Sequence, residues 1–280
     1  MSELTLEQVI QRVRQLPSLS QAVTEVLRSF DNEGIDVATL VGKIGRDQGL
    51  VARILQVANS AFYGMTSRVG SIGEAVVVLG FHNIRSLAVA AGIINQFPPA
   101  AGKVFDRTEF WRHSIGTGVC AKLLAARLGM DQEAAFTAGL LHDIGVLVLD
   151  AYFHEDFERA LAYCLEKDCT FAQAESAVLN LNHAVIGFEV ARHWKFPPSV
   201  QQAIRDHHQP DSGDHALLTD MVHLANVLCH VLEIGRVSND LAPPLSAGAW
   251  ERLGLEWDGM GALFRDIEQL NTSINLLLAE

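Results

Sequence analysis

The 280-residue sequence predicts an all-α protein of two helical lobes, and three observations carry that prediction. Apolar residues recur at steps of three and four through every long segment, the period of one buried helix face. Side chains able to cap helices stand just before these runs, with Thr5 and Gln8, and Ser71 and Glu74, at the spacing of a capping box. No segment alternates apolar and polar residues around a turn as a β-hairpin does.

The first helix is expected after Thr5, with Leu6, Val9, Ile10 and Val13 inward, and Pro17 separates it from a second run, Leu19, Val23, Val26, Leu27 and Phe30. Asp36 is placed to cap a helix burying Val37, Leu40, Val41 and Ile44, and Asp47 one burying Leu50, Ile54, Leu55 and Ala58. Asn59, Ser60 and Gly64 then break the pattern. A helix over 71–79 is expected to stop at Gly80 in a left-handed C-terminal cap, after which 81–95 resumes as a strongly apolar helix. Pro98, Pro99 and Gly102 interrupt the periodicity over 97–103 and mark a lobe junction. Beyond it, helices are expected over 108–128, 132–152, 155–167, 171–179, 183–194, 198–208 and 215–234. A polar connection at 238–244 leads to two more, 245–253 and 258–278. The organisation is then an N-terminal helical lobe over 1–100, a second lobe over 101–235 and a C-terminal helical extension over 236–280.

A hydrophobic content of 49% at this length supplies a core without staples. Cys120, Cys164, Cys169 and Cys229 form no CxxC pair and sit inside helical patterns, so they read as small buried hydrophobes of a reducing compartment. The opening MSELTLEQVIQRV carries acidic residues where a secretory leader is basic, and apolar stretches such as 87–94 fall far short of the roughly 20 residues that span a bilayer. A soluble cytoplasmic protein with no membrane partner is expected. A net charge of −12 without a Lys/Arg run argues against a nucleic-acid surface, but leaves room for a local pocket for a small phosphorylated ligand.

Six residues point to chemistry: His113 in FWRHS, His142 and Asp143 in AGLLHDIG, His183 in LNHAVIG, and His207 and His208 in RDHHQP. Imidazole nitrogen and carboxylate oxygen are the donors that hold divalent transition metals. On a continuous helix His142 and Asp143 stand about 100° apart, flanking one ion, or with Asp143 bridging two. Gly139, Gly145 and Gly187 stand where helix backbones would have to approach closely around a crowded site. The competing reading of these six is a structural polar network. His82, His154, His193, His215, His223 and His230 read as satisfied interior groups or surface residues, and Trp111 and Trp194 as core.

Over residues 16–233 the chain resembles the HDOD family, the HD-related output domains of bacterial signalling proteins. The matching pieces, in order, are LPSLS, DQGL, ANSAFYG, SIGEAVVVLG, FWRHS, AGLLHDIG, NHAVIG, HWKFP and DHH. The resemblance implies an added N-terminal helical lobe on an HD-type bundle, and assigns His113, His142, Asp143, His183, His207 and His208 as metal ligands. It implies one or two divalent ions of iron, manganese or zinc. The final aspartate of the wider HD superfamily falls on Asn226 in MVHLANVL, an amide without the charge. QPDSGD after His208 replaces the elements of cyclic-dinucleotide hydrolases, and Gln48 departs from the commoner DP form in DQGL. The expected function is a signalling interaction module, non-catalytic or weakly catalytic, receiving its input in trans from signalling proteins, with oligomerisation left open. An active metal phosphohydrolase on a nucleotide or phosphomonoester is the alternative, and no individual catalytic residue is assigned.

Overall fold

A computed structural model describes residues 4–28, 36–59, 68–94, 96–97, 105–235 and 241–278. The described residues are helical with no strands, and they divide into two compact units, residues 17–96 with 268–280, and residues up to 16 with 97–267. Ser60 to Gly64 of ANSAFYG, most of the junction at 97–103 and the first part of the 238–244 connection lie outside the described residues.

In the smaller unit α2 (Gln21–Arg28), α3 (Val37–Ile44), α4 (Gln48–Ala58), α5 (Ile72–Leu79) and α6 (Phe81–Ile94) surround a core of Val23, Val26, Leu40, Ile44, Leu50, Ile54, Ile84 and Ile93. Asp36, Asp47 and Ser71 cap as expected, with Thr39 N–H donating to Asp36 at 2.7 Å, Leu50 N–H to Asp47 at 3.0 Å and Glu74 N–H to Ser71 at 3.1 Å, but the Glu74 carboxylate accepts from Gly70 N–H at 2.7 Å instead of closing the expected box on Ser71. Asn59 joins Leu55 and Val69, donating to both carbonyls and accepting the Val69 N–H. Gly80 has the positive φ expected of a stop, +88°, but its ψ of 152° is not that of a left-handed cap. Such a conformation turns the chain directly into α6 instead of winding past the helix end, and only glycine adopts it without strain.

The larger unit holds α1 (Leu6–Val13), α7 (Arg107–Leu128), α8 (Gln132–Leu141), α9 (Ile144–Tyr152), α10 (His154–Lys167), α11 (Phe171–Leu179), α12 (His183–His193), α13 (Pro198–Asp206), α14 (Leu217–Val231), α15 (Ala247–Leu253) and the start of α16 (Trp257–Leu278). α7 packs between α8 and α14, α9 against α12, and α13 against α8, α12 and α14. The first helix packs on α12, with the Arg12 guanidinium 4.1 Å from the centre of the Tyr152 ring. α15 docks on α14 through Arg252, which forks onto the buried Asp220 carboxylate at 2.7 and 2.8 Å and reaches Asp211 at 2.9 Å.

The expected helix over 132–152 is two helices, α8 and α9, broken at His142 and Asp143. Asp143, at φ −100° and ψ 13°, lies in the bridge region, so the helix is interrupted there. This long apolar stretch is mostly buried inside the unit.

Candidate metal centre

Each site residue stands at a helix end or at a close helix crossing, for reasons legible in its neighbours. Asp106 caps α7 by accepting from Thr108 and Glu109 N–H, and His113 follows two turns in. α7 and α8 meet at Gly118 and Gly139. A β-carbon on Gly139 would stand 2.8 Å from the Gly118 α-carbon and 2.8 Å from the Thr117 carbonyl, so only glycine admits this approach. Gly145 meets the His183 carbonyl and Gly187 in the same way, which brings α9 onto α12 beside the cluster.

His142 is the last residue of the α8 turn and Asp143 the first outside α9. The Asp143 carboxylate makes no capping bond, and it points into the unit. Asn182 caps α12 by accepting from Val185 N–H, which makes His183 the first helical residue. His207 closes α13 and His208 follows it. This turn is held from behind by His223, whose Nδ1–H donates to the His207 carbonyl at 2.7 Å while its Nε2 accepts the Ser246 N–H at 3.0 Å.

The six expected residues come together. Asp143, His183, His207 and His208 bring one donor atom each within 4.8 Å of one another, and His113, His142 and Asp143 form a second such group. Asp143 belongs to both. Its Oδ1 lies 3.1 Å from His183 Nε2 and 3.4 Å from His207 Nε2, while its Oδ2 lies 3.2 Å from His142 Nε2 and 3.8 Å from His113 Nε2.

The outer ring nitrogens fix the protonation of the inner ones. Nδ1 of His142 faces the Gly139 carbonyl at 2.7 Å, that of His207 the Ile204 carbonyl at 2.8 Å and that of His113 the Ile234 carbonyl at 3.3 Å. Nδ1 of His183 faces Glu175 Oε2 at 2.6 Å. These oxygens accept, so Nδ1 of His142 and of His207 carries the proton and each turns an Nε2 lone pair toward Asp143, while His183 Nε2 lies 2.8 Å from His208 Nε2 and His113 Nε2 faces the Asn226 amide oxygen at 2.9 Å. His142 Nε2, His207 Nε2 and Asp143 Oδ1 are buried with no hydrogen-bond partner. Buried polar atoms left unpaired cost free energy, and a set of lone pairs converging on a carboxylate is what a divalent cation satisfies. The residues therefore fit a divalent metal.

Burial lowers the His113 pKa to about 3, with His230 and His142 adding to it, and that of His207 to about 4; His208 is also pushed well down by burial. These rings are neutral ligands near pH 7. Burial raises the Asp143 carboxyl, but His142 and His183 more than reverse this and hold it well below the ordinary carboxylate range. Burial alone would depress His183, yet the Glu175 and Asp143 carboxylates lift it well above an ordinary histidine. The two carboxylates thus create a field that favours a cation at His183 Nε2.

Three contributors lie outside the six. Glu175, fully buried on α11, holds His183 by accepting both its Nδ1–H and its backbone N–H, the latter at 3.0 Å. The sequence signal is its phase: Phe171, Glu175 and Leu179 share one buried face, where an unpaired carboxylate would not stand. Asn226 presents its Oδ1 2.9 Å from His113 Nε2. The His230 ring lies 4.7 Å from that of His113, tilted by 53° to it. His223, Asn226 and His230 form a polar stripe at three- and four-residue steps along the mostly apolar α14, and that stripe was the available clue. His223 itself is the satisfied interior histidine expected.

A cavity of about 20 Å³, room for one water, opens beside the cluster. Asp143, His183, His208, Asn226 and His230 line its polar side; Phe110, Val146, Phe157, Phe171 and Leu241 line the other. Among the described residues no lysine or arginine reaches it.

The HDOD domain family matches residues 16–210. An uncharacterized protein of Treponema pallidum (strain Nichols) is 28% identical over 235 residues, 80% of this chain but 44% of its own length, so the chain spans under half of that relative. Among solved structures, an HDOD domain protein of unknown function from Geobacter sulfurreducens superposes with a TM-score of 0.82 at 23% identity, covering 98% of this chain and 99% of that one. A candidate phosphohydrolase from Shewanella amazonensis SB2B gives 0.72 at 27% identity, covering 96% and 97%.

Proposed function

Since the chain belongs to the HDOD family, we propose that it is a metal-binding signalling module, non-catalytic or weakly catalytic, that acts through contacts with other signalling proteins. The observation that carries the metal reading is the convergence of the Nε2 atoms of His113, His142, His183 and His207 on Asp143, with His142 Nε2, His207 Nε2 and Asp143 Oδ1 buried and unpaired. His113, His142, Asp143, His183, His207 and His208 hold one or two ions of iron, manganese or zinc. The mixed imidazole and carboxylate donors suit these better than magnesium or calcium.

Weak or absent catalysis follows from what surrounds the donors. A phosphoester needs cationic groups to balance its charge, and the cavity offers, among the described residues, a carboxylate and an apolar wall. Asn226 supplies no charge where a carboxylate would anchor a second ion. A bound ion would supply Lewis acidity and a lowered pKa to coordinated water. The residues' own parts are to aim that ion, through Glu175 on His183 and the Gly139 carbonyl on His142, and to keep bulk water out with Phe110, Phe157 and Phe171.

The second reading is an active phosphohydrolase, favoured by the likeness to the Shewanella protein along nearly the whole chain. Elemental analysis of protein purified without chelators, with a panel of phosphomonoesters and phosphodiesters, separates the two. Stoichiometric transition metal with negligible turnover is expected. Robust turnover makes the second reading correct, and protein that neither contains metal nor gains thermal stability from iron, manganese or zinc refutes both.

A further inference from the structure

The two halves of the cluster are unequally furnished. On one side Asp143 Oδ1 faces His183, His207 and His208, with Glu175 behind. On the other, Asp143 Oδ2 faces His142 and His113, and the next donor is the uncharged Asn226. One helical turn beyond Asn226 stands His230. Residues four apart on a helix share a face with β-carbons about 5–6 Å apart, the spacing at which paired side chains on a helix chelate one ion. The His230 ring lies 4.7 Å from that of His113, and it borders the same cavity as Asp143 and Asn226.

We propose that His230 is a metal ligand, completing on the His113, His142 and Asp143 side a second divalent cation position for which Asn226 brings no charge. The inference rests on the metal reading of the cluster. Donors arranged tetrahedrally at about 2.0–2.2 Å from an ion stand roughly 3.3–3.6 Å apart. His142 Nε2 and His113 Nε2 lie 3.2 and 3.8 Å from Asp143 Oδ2, each within a few tenths of an ångström of that spacing, and the three atoms all lie within 4.8 Å of one another. α14 supplies the rest of the shell through Asn226 and His230. The set is rich in nitrogen and carries a single carboxylate, so it selects zinc, cobalt or iron over magnesium and calcium. With less negative charge than the His183 side, it fills second.

The test is titration of the metal-free full chain with Co(II), following heat and ligand-field absorption together. Wild type takes two equivalents, the second more weakly. His230→Ala keeps the first and loses at least tenfold in affinity for the second. His230→Phe, which retains a ring against His113 but has no lone pair, behaves alike, so a packing defect is distinguished from a lost ligand. Asn226→Asp in the His230→Ala background restores the second equivalent. A second equivalent of wild-type affinity in both His230 variants overturns the inference, as does a wild type that saturates at one equivalent, which leaves the metal reading standing. A wild type that takes no Co(II) overturns both.

Discussion

Replacing Glu175 tests how the His183 donor is held. Its carboxylate accepts two hydrogen bonds from one residue, the ring Nδ1–H at 2.6 Å and the backbone N–H at 3.0 Å, and it is fully buried. Glu175→Gln preserves volume and one accepting oxygen but removes the charge that steadies a cation at Nε2. Losing the outer partner of a ligating histidine weakens metal binding about 10–100-fold, and the isosteric change belongs at the lower end. A tenfold loss is about 1.4 kcal/mol. Glu175→Ala also strands two buried donors, so it belongs at the upper end and destabilises the metal-free protein by about 1.5–3 kcal/mol. Calorimetric titration with zinc or manganese gives the affinities, and urea unfolding of the metal-free variants gives the stabilities. Unchanged affinity in both variants would refute the view that Glu175 orients and charges the His183 ligand.

Other perturbations have equally definite outcomes. Gly139→Ala drives a methyl into the Gly118 backbone and should cost about 1–3 kcal/mol, read as a lower urea midpoint, with metal affinity falling because α7 and α8 both carry ligands. Arg252→Ala leaves the Asp220 carboxylate buried without its fork and should destabilise by about 2–4 kcal/mol, whereas Arg127→Ala, which frees the exposed Asp266, should cost less than about 1 kcal/mol; equal midpoints for the two would be the wrong result. His142→Ala with Asp143→Ala should abolish metal binding and the thermal stabilisation that metal gives, about 2.7 kcal/mol at a hundredfold excess over Kd. A melting curve of the double variant that still rises on adding metal would contradict this.

Helix positions and all six converging residues could be read from the sequence because periodicity, caps and donor types are local. What could not be read depends on backbone conformation. Leu140, Leu141, Ile144, Leu147 and Val148 carry the apolar period across His142 and Asp143, so the break there left no mark in it. The close crossings at Gly139 and Gly145 were signalled, since glycine inside an apolar helix is otherwise costly. Glu175 was missed because a single glutamate in FAQAESAVL looks like an exposed residue until its phase with Phe171 and Leu179 is noticed. The first helix shows the limit of grouping by order along the chain: it counts with residues 97–267 through α12, although 80 intervening residues, 17–96, belong to the other unit.

The crossing of α7 and α8 does more than permit close packing. Gly139 both touches Gly118 and, through its carbonyl, sets the tilt of the His142 ring, while His113 rides on α7 itself. The spacing of two helices is therefore geared to the aim of two imidazoles. A partner that pries the pair apart works against the ion, and the ion grips the spread pair less tightly by the same free energy, since coupling between two binding events is reciprocal. Metal occupancy would then be felt as stiffness along the solvent-facing side of α7, since α8 is mostly buried, a mechanical property that a docking protein can sense without ever reaching the histidines.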